Sequence, residues 1–319
     1  MQSRSDELEQ MKRIDLCQYA ASRGFVLDRR QSSRSSAVMK HPNGDKLIVT
    51  KSKTGQFIYF NAKGNDSGTI IDFIQTRDRV SLGEVRKLLR PWIGINPNPL
   101  LPRDLPASPM ELQPSEHDAA RVLTTWLEAR PIAGSHPYLE TERGIPRSLL
   151  ADPIFADRIR IDRRGNALFP HHNADGLCGF ELKNRNFTGF SPGGIKALHS
   201  SVPRPDDRIM VICETGIDLL SYAAIKGTDR RRFFSTAGQI SPLQSDCLRS
   251  AAEQMPPGSI VVLALDNDDG GRKLSAQISE ALADIPLAIV PDFPPNPGED
   301  WNDVLRRIAR NVATEPASP

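Results

Sequence analysis

Residues 208–214 read RIMVICE and residues 260–271 read IVVLALDNDDGG. Each stretch opens with an apolar run of the length of a buried β-strand, and a helical pattern follows each run. Strands and helices alternate along this region. The strands are predicted at 208–214, 231–238, 260–266 and 286–293, and the helices at 217–227, 241–255, 270–284 and 300–311. This alternation predicts an α/β domain with a mostly parallel sheet that helices cover on both faces.

Acidic residues stand at the ends of two of these predicted strands. Glu214 closes the first strand, Asp266 closes the third, and Asp268 follows in the next turn. In an open parallel sheet, ligands bind beyond the carboxyl ends of the strands, so we expect these side chains to lie close together. Any one of them alone is more often a turn residue or a helix cap. Together they predict a site for Mg²⁺ or Mn²⁺, because converging carboxylates repel one another unless a cation neutralises them.

The motifs around these residues resemble those of a known family. ETGIDLLS (214–221), STAGQIS (235–241) and ALDNDDGGRK (264–273) are similar to the motifs of TOPRIM domains, which bacterial primases, topoisomerases and some nucleases share. GEDWNDVL (298–305) resembles the Lys-Asp-x-Asn-Asp segment of phage and plasmid TOPRIM primases, although Glu299 stands where a lysine is usual.

This resemblance implies roles for individual residues. It implies catalytic metal ligands at Glu214, Asp266 and Asp268, with Asp218, Asp300 and Asp303 supporting the same ion or a second one. It also implies that phosphate or nucleotide is bound by Gly216, Gly238, Gly271, Lys273 and Asn302.

The segment before this domain resembles a second part of the primases, more weakly. NALFPHHNADGLCGFELKN (166–184), followed by GFSPGGIKAL (189–198), is similar to the basic subdomain that precedes TOPRIM in bacterial primases. On that match Lys183 and Lys196 are candidate catalytic residues that contact template, primer or triphosphate, and Arg185 is a weaker candidate for binding nucleic acid. The alternative for both lysines is a solvated surface position.

The N-terminal region predicts a small α+β unit. Its patterns indicate one opening helix over residues 6–22, strands at 37–39, 46–50 and 56–60, and helices over 69–78 and 81–93. The last helix is expected to begin at a capping box formed by Ser81 and Glu84.

Residues 12–92 resemble the zinc-binding domain of primases in layout, but cysteines are absent near Val38 and in residues 61–68. His41 alone cannot build a tetrahedral zinc site, so no zinc is expected. We expect the domain to keep its fold and to contact single-stranded DNA through a set of basic and aromatic residues. These are Lys46, Lys51, Lys53, Tyr59 and Phe60. The alternative is that Phe57 and Tyr59 simply face the core.

Composition bounds the function only loosely. The net charge of +2, from 41 basic and 39 acidic residues, argues neither for nor against a polyanionic partner, although basic residues gather at 158–164 and 230–232. The 4 cysteines form no CxxC pair, which argues against a zinc ribbon. No stretch is apolar enough to span a membrane and the first residues are unlike a signal peptide, so a cytoplasmic protein is expected.

A proline-dense stretch divides the chain and predicts an extended linker. The expected organisation is a zinc-domain-like module without zinc at 1–95, the linker at 96–115, the basic subdomain of a primase-like core at 116–206, a TOPRIM domain at 207–310 and a disordered tail at 311–319.

The resemblance implies a primase-like nucleotidyltransferase that makes short primers on single-stranded DNA from nucleoside triphosphates. It also implies a setting in plasmid or mobile-element replication or transfer, with a replicative helicase or a conjugative relaxase as partner. A TOPRIM nuclease and a non-catalytic nucleic-acid-binding accessory remain alternatives, because the same carboxylates can support cleavage or persist as a relic. The sequence contains no GxxxxGK[ST] motif, so a built-in helicase motor is not supported.

Overall fold

The computed structural model describes residues 4–62, 66–95, 107–113, 117–185 and 187–314. The chain divides into two compact units, Met1–Glu116 and His117–Pro319. The elements of the first unit are α1 (Arg4–Met11), α2 (Leu16–Ser22), β1 (Val26–Leu27), β2 (Ser36–Lys40), β3 (Lys46–Lys51), β4 (Phe57–Asn61), β5 (Ser67–Gly68), α3 (Ile70–Asp78), α4 (Leu82–Leu89) and a 3₁₀ turn (Arg90–Ile93).

The first unit is built on a five-stranded antiparallel sheet of order β1-β2-β3-β4-β5. Strand β4, FIYFN, alternates strictly between buried and exposed side chains, as a half-buried strand should. The buried face packs against α2 and α3 through residues such as Tyr19, Tyr59 and Phe73. The three strands predicted from the sequence are present, and β1 and β5 are short additions at the edges.

Two expectations for this unit are wrong in detail. The single opening helix is two helices, because the Asp15 carboxylate accepts hydrogen bonds from the backbone of Cys17 (2.8 Å) and Gln18 (3.1 Å) and so caps a new helix. The stretch 96–115 is not a linker throughout, since Leu112 is only 2% exposed and belongs to the core of the first unit. Residues 96–106 and 114–115 of that predicted linker lie outside the described residues. The capping box of Ser81 and Glu84 is confirmed.

The second unit contains two sheets. Its elements are α5 (Ala119–Glu128), β6 (Arg130–Pro131), a π-helical turn (Tyr138–Glu142), α6 (Arg147–Leu150), a 3₁₀ turn (Pro153–Phe155), β7 (Arg160–Ile161), β8 (Ala167–Asn173), β9 (Gly176–Asn184), β10 (Phe187–Phe190), β11 (His199–Ser200), β12 (Ile209–Cys213), α7 (Gly216–Lys226), β13 (Arg231–Ser235), α8 (Pro242–Glu253), β14 (Ile260–Ala264), α9 (Asp269–Ala281), β15 (Ala288–Pro291) and α10 (Trp301–Thr314). Strands β10-β9-β8-β7-β6 form an antiparallel sheet.

The other sheet has the order β11-β13-β12-β14-β15, and its last four strands are parallel. Alternate residues of β12 face opposite cores: Val211 packs with Leu220 of α7 and Val304 of α10, whereas Ile212 packs with Leu274 of α9. Helices therefore cover both faces, and the predicted α/β class with a mostly parallel sheet is confirmed.

The basic subdomain predicted at 116–206 and the domain predicted at 207–310 share one core. Phe169 of β8 lies in the same buried cluster as Val211 of β12, and β11 pairs with β13. The predicted disordered tail is wrong for residues 311–314, which continue α10, and residues 315–319 lie outside the described residues. Among the helices that the structure describes, none is both long and apolar enough to cross a membrane.

A candidate metal centre and its basic rim

The parallel sheet places Glu214 and Asp266 side by side. Strands β12 and β14 pair in register with Cys213 opposite Ala264, so the residues that follow them emerge at the same edge. The two carboxyl groups are close enough for the charge of Glu214 to contribute to the raised pKa of Asp266. The carbonyl oxygen of Glu214 accepts a hydrogen bond from the backbone of Gly238 (3.2 Å), whose positive φ of 97° turns the chain at the end of β13.

The turn after β14 brings Asp268 to the same edge. Its Oδ1 accepts a hydrogen bond from the backbone of Gly271 (2.7 Å) and caps α9, while the residue stays exposed. A Cβ at Gly271 would lie 2.1 Å from the carbonyl oxygen of Asp266. Only glycine therefore lets helix α9 start this close to the strand end, which gives the Asp-x-Asp-x-x-Gly motif a structural reason.

A third loop adds Asp300 to the centre. The backbone of Asn267 donates to Glu299 O (3.0 Å) and accepts from Gly298 (2.7 Å), so the loop before α10 is held against the aspartate turn. Asp300 Oδ1 in turn accepts from the backbone of Asp303 (2.6 Å) and caps α10. The side chain of Asp303 remains exposed at the margin.

Helix α7 contributes Asp218, which lies in its first turn. The residue is 4% exposed, and its Oδ2 accepts a hydrogen bond from Thr215 Oγ1 (2.5 Å). Gly216 is the first residue of the same helix, and its role in phosphate binding stays a prediction. The edge thus gathers carboxylates from four separate segments.

Crowding and burial raise the pKa values of these groups. Burial, then the charges of Asp218, Glu214 and Asp300, raises the pKa of Asp266 to about 9. Burial, then the charge of Asp300, raises the pKa of Asp218 to about 7. Burial also raises the pKa of Glu214, with the charge of Asp268 as the next cause. The raised pKa values mark a place where negative charge lacks a counter-ion.

The donor set fits Mg²⁺ in chemistry, although it is not gathered into a finished cage. Hard oxygen ligands suit this ion, and Asp266 Oδ1 is buried without a hydrogen-bond partner. Within the described ranges, no group of three His, Cys, Asp or Glu side chains is arranged to hold a metal. Glu214 and Asp266 are therefore the pair that would hold the ion first, and Asp268 would have to turn toward them.

Two lysines that the sequence singled out lie near this edge. The positive charge of Lys183 is felt at both Glu214 and Asp218, and the side chain of Lys183 is 12% exposed. Lys196 is exposed and donates from Nζ to the carbonyl oxygen of Ala237 (2.8 Å), in the turn after β13. The catalytic roles of both lysines stay predictions.

Sequence reasoning missed Glu181, which lies on β9 two residues before Lys183. It is 2% exposed, its carboxylate has no hydrogen-bonded partner at either oxygen, and Lys183 Nζ lies 3.6 Å from Oε2. Burial raises the pKa of Glu181. An acidic residue inside an otherwise apolar strand pattern, GFEL, was the available signal.

Asn302 has a different place from the one expected. It is 1% exposed, and its amide donates to Arg143 O (2.7 Å) and Ser221 Oγ (3.0 Å) while accepting from Arg143 Nη1 (3.3 Å). The expectation that Asn302 binds nucleotide directly is wrong, because its amide already has protein partners. Arg143, also missed from the sequence, instead joins the structural frame of the centre.

The remaining candidates of the second unit lie at its margin. Arg185 is exposed and forms an ion pair with Glu142 (2.8 Å), and Lys273 lies in the first turns of α9. Their roles in nucleic-acid and nucleotide binding stay predictions.

The residues of the first unit that the sequence predicts to bind nucleic acid differ in how deeply they are buried. Tyr59 is 1% exposed, packs edge-to-face on Phe73 (5.4 Å between ring centroids) and donates from its hydroxyl to Asp66 (2.8 Å). The expectation that Tyr59 stacks on bases is therefore wrong, and the core-facing alternative holds for it and for Phe57. Phe60 is 40% exposed on the opposite face of β4.

The three lysines of this unit that the sequence predicts to bind nucleic acid are at least partly exposed to solvent. Lys53 is exposed and Lys46 and Lys51 are half-buried. His41, the candidate relic of a zinc site, packs against Phe25 (4.8 Å between ring centroids), and its Nδ1 accepts from the backbone of Asn43 (3.2 Å).

Two families match parts of the second unit. The family described as Toprim-like matches residues 211–305, and a family described as a protein of unknown function (DUF3991) matches residues 137–206. The chain thus contains a Toprim-like domain, which carries Glu214, Asp266 and Asp268. No curated protein matches the chain.

Solved structures similar to the chain include three primases. The zinc-binding and RNA polymerase domains of the Aquifex aeolicus primase match 98% of this chain and 84% of their own, with 14% identity and a TM-score of 0.39. The primase fragment of the bacteriophage T7 primase-helicase protein matches 83% and 92%, with 14% identity and a TM-score of 0.43. The RNA polymerase domain of Mycobacterium tuberculosis primase DnaG matches 62% and 84%, with 14% identity and a TM-score of 0.35.

Proposed function

We propose that this chain is a metal-dependent nucleotidyltransferase of the primase type, which makes short primers on single-stranded DNA. The observation that carries the proposal is the crowded set of carboxylates at one sheet edge, whose raised pKa values mark a missing cation and which two lysines face. The Toprim-like domain supplies this edge.

Glu214 and Asp266 would hold Mg²⁺, with Asp268 joining them and Asp218 and Asp300 supporting the site from behind. When bound, the ion would bind triphosphate oxygens and stabilise the charge that builds on the α-phosphate. In the reaction, a 3′-hydroxyl oxygen bonds to the α-phosphorus, the bond to pyrophosphate breaks, and the hydroxyl proton is lost.

The lysines have the complementary role. Lys183 lies close enough to Glu214 for its positive charge to act on that carboxyl group. Lys196 is anchored at the turn after β13 by its hydrogen bond to Ala237 O. Their ammonium groups would neutralise phosphate oxygens as negative charge shifts toward the leaving pyrophosphate. Single-stranded DNA and nucleoside triphosphates are therefore the proposed ligands.

The biological setting is part of the proposal. The resemblance of the sequence to primases of plasmids and mobile elements favours a role in replication or transfer of such an element, beside a replicative helicase or a relaxase. Co-purification with a helicase or relaxase encoded next to it would support this setting. Substitutions in this chain should abolish the co-purification, and nuclease treatment should not.

Incubation with a single-stranded DNA circle, labelled nucleotides and Mg²⁺ tests the activity. We expect new oligonucleotides from the unaltered protein and none from Asp266→Asn or Asp268→Asn, with Asp269→Asn as the matched control because Asp269 is an exposed neighbour in the same turn. Retained synthesis by either of the first two variants would contradict the assignment. Shortened DNA in place of new oligonucleotides would identify a nuclease, and a mobility shift alone would identify a binding accessory.

A further inference from the structure

Arg232 of β13 is a half-buried cation with only neutral partners. Its guanidinium donates to Ser200 Oγ (3.2 Å) and Ser201 Oγ (3.3 Å) and lies over the ring of Phe234 (5.0 Å to the centroid). The buried Asp207, whose charge Arg232 feels, is already ion-paired with Arg204 (3.1 Å). The charge of Arg232 therefore has no carboxylate of its own among the described residues.

Arg158 is a second cation of the same kind. It follows the 3₁₀ turn Pro153–Phe155, is half-buried, and makes no side-chain hydrogen bond or ion pair with any residue that the structure describes. The adjacent Asp157 is committed to Arg160 (2.8 Å). A guanidinium taken partly out of water without a counter-charge is costly, so a partner from outside the chain is indicated.

A backbone contact places the two arginines near each other. The backbone of Val202, which follows the Ser201 that Arg232 contacts, donates to Ile154 O (2.7 Å), four residues before Arg158. Burial, then the positive charge of Arg158, lowers the pKa of Arg232 to about 10. The two guanidinium groups are thus neighbours that repel each other.

His172 borders the same place. It lies one residue before the end of β8, and its backbone donates to Leu198 O (2.9 Å), just before β11. Burial, then the charges of Arg158 and Arg232, lowers the pKa of His172 to about 4, and its Nδ1 is buried without a partner. A neutral imidazole and two serine hydroxyls therefore surround the arginine pair with further hydrogen-bonding groups.

We propose that Arg158 and Arg232, with His172 beside them, bind a backbone phosphate of single-stranded DNA at a site separate from the acidic centre. Planar guanidinium groups suit phosphate oxygens because they donate two parallel hydrogen bonds, and one phosphate relieves the repulsion between the two arginines.

The position of Arg232 separates this site from the metal centre. Arg232 pairs with Met210, three residues before the end of β12 at Cys213, so it lies about 10 Å back from the edge that carries the carboxylates. A strand of DNA carries a phosphate at every nucleotide, so one strand can reach both places.

Fluorescence anisotropy with a labelled oligothymidylate, without Mg²⁺ or nucleotide, tests the inference independently of the proposed function. We expect Arg158→Gln/Arg232→Gln to weaken binding about tenfold or more at moderate salt and to reduce the salt slope by about 0.7 for each phosphate that the variant no longer neutralises. Arg163→Gln/Arg164→Gln is the matched control, because it removes two exposed arginines from the turn between β7 and β8.

Thermal unfolding separates binding from folding. The oligothymidylate should raise the melting temperature of the unaltered protein more than that of the Arg158/Arg232 variant, with both melting cooperatively when free. Equal DNA affinity of this variant and the matched control would overturn the inference, as would a loss confined to nucleoside triphosphate binding. Loss of DNA affinity in a protein that makes no primer would support this site while contradicting the proposed activity.

Discussion

Arg143 and Asn302 are joined by reciprocal hydrogen bonds: Arg143 Nη1 donates to Asn302 Oδ1 (3.3 Å), and Asn302 Nδ2 donates to Arg143 O (2.7 Å). Asn302 also donates to Ser221 Oγ (3.0 Å) of α7. These three bonds fix the start of α10, and with it Asp300, against the π-helical turn and α7. The acidic edge therefore depends on a buried amide whose hydrogen-bond partners are protein groups.

Asn302→Ala should destabilise the protein, because it leaves the Arg143 carbonyl and guanidinium and the Ser221 hydroxyl without their partner. We expect a loss of about 2 kcal/mol in the free energy of unfolding, measured by denaturant titration. Arg306→Gln, an exposed change on the same helix, is the control and should unfold like the unaltered protein. An unchanged midpoint for Asn302→Ala would show that these bonds do not hold the helix.

Mg²⁺ should stabilise the protein more at high pH than at low pH. The raised pKa of Asp266, about 9, means that the folded protein binds more protons than the unfolded chain between about pH 4 and pH 9, so stability without metal falls as the pH rises through this range. A bound cation replaces the proton and offsets that loss.

Melting temperatures between pH 6 and pH 9, with and without Mg²⁺, measure this effect. The shift caused by Mg²⁺ should grow with pH in the unaltered protein and stay small in Asp266→Asn. A shift independent of pH in both proteins would mean that the ion binds elsewhere.

Glu181→Gln should weaken nucleotide binding by removing the buried carboxylate that holds Lys183 in position. That carboxylate lies 3.6 Å from Lys183 Nζ, and an amide of the same shape carries no charge to hold the ammonium. The KM for nucleoside triphosphate should rise about tenfold, while the melting temperature should stay close to that of the unaltered protein.

Glu142→Gln is the matched control for this change, since it removes the exposed partner of Arg185. A merely structural role of Glu181 would lower the melting temperature and leave the KM unchanged, and that outcome would contradict the positioning of Lys183.

Phe60→Ala should weaken the binding of single-stranded DNA to the exposed face of the sheet in the first unit. Phe60 is 40% exposed, and loss of one stacked base costs about 1–3 kcal/mol, or about 5-fold to 150-fold in affinity. Ile58→Ala is the matched control, because Ile58 is 43% exposed on the same face of β4 but offers no ring. Equal losses in the two variants would mean that the face binds no base by stacking.

The sequence by itself determined the parallel sheet and the position of its acidic residues at one edge. Apolar runs such as IVVLA need burial on both faces, which requires helices on both sides of a parallel sheet, and Glu214 and Asp266 then stand at the shared edge. Turn and cap chemistry is equally local, as the capping box at Ser81 and the glycine at 271 illustrate.

Only the tertiary structure decided which candidates face a ligand and which face the core. A period-two pattern puts Tyr59 and Phe60 on opposite faces but does not say which face is covered, and the hydrogen-bond partners of Asn302 lie 159 and 81 residues away along the chain. The same holds for Glu181, Arg158 and Arg232, since burial and the absence of a counter-charge arise from segments distant in sequence. Local periodicity fixes the elements, whereas long-range packing fixes the electrostatic environment in which each charged group acts.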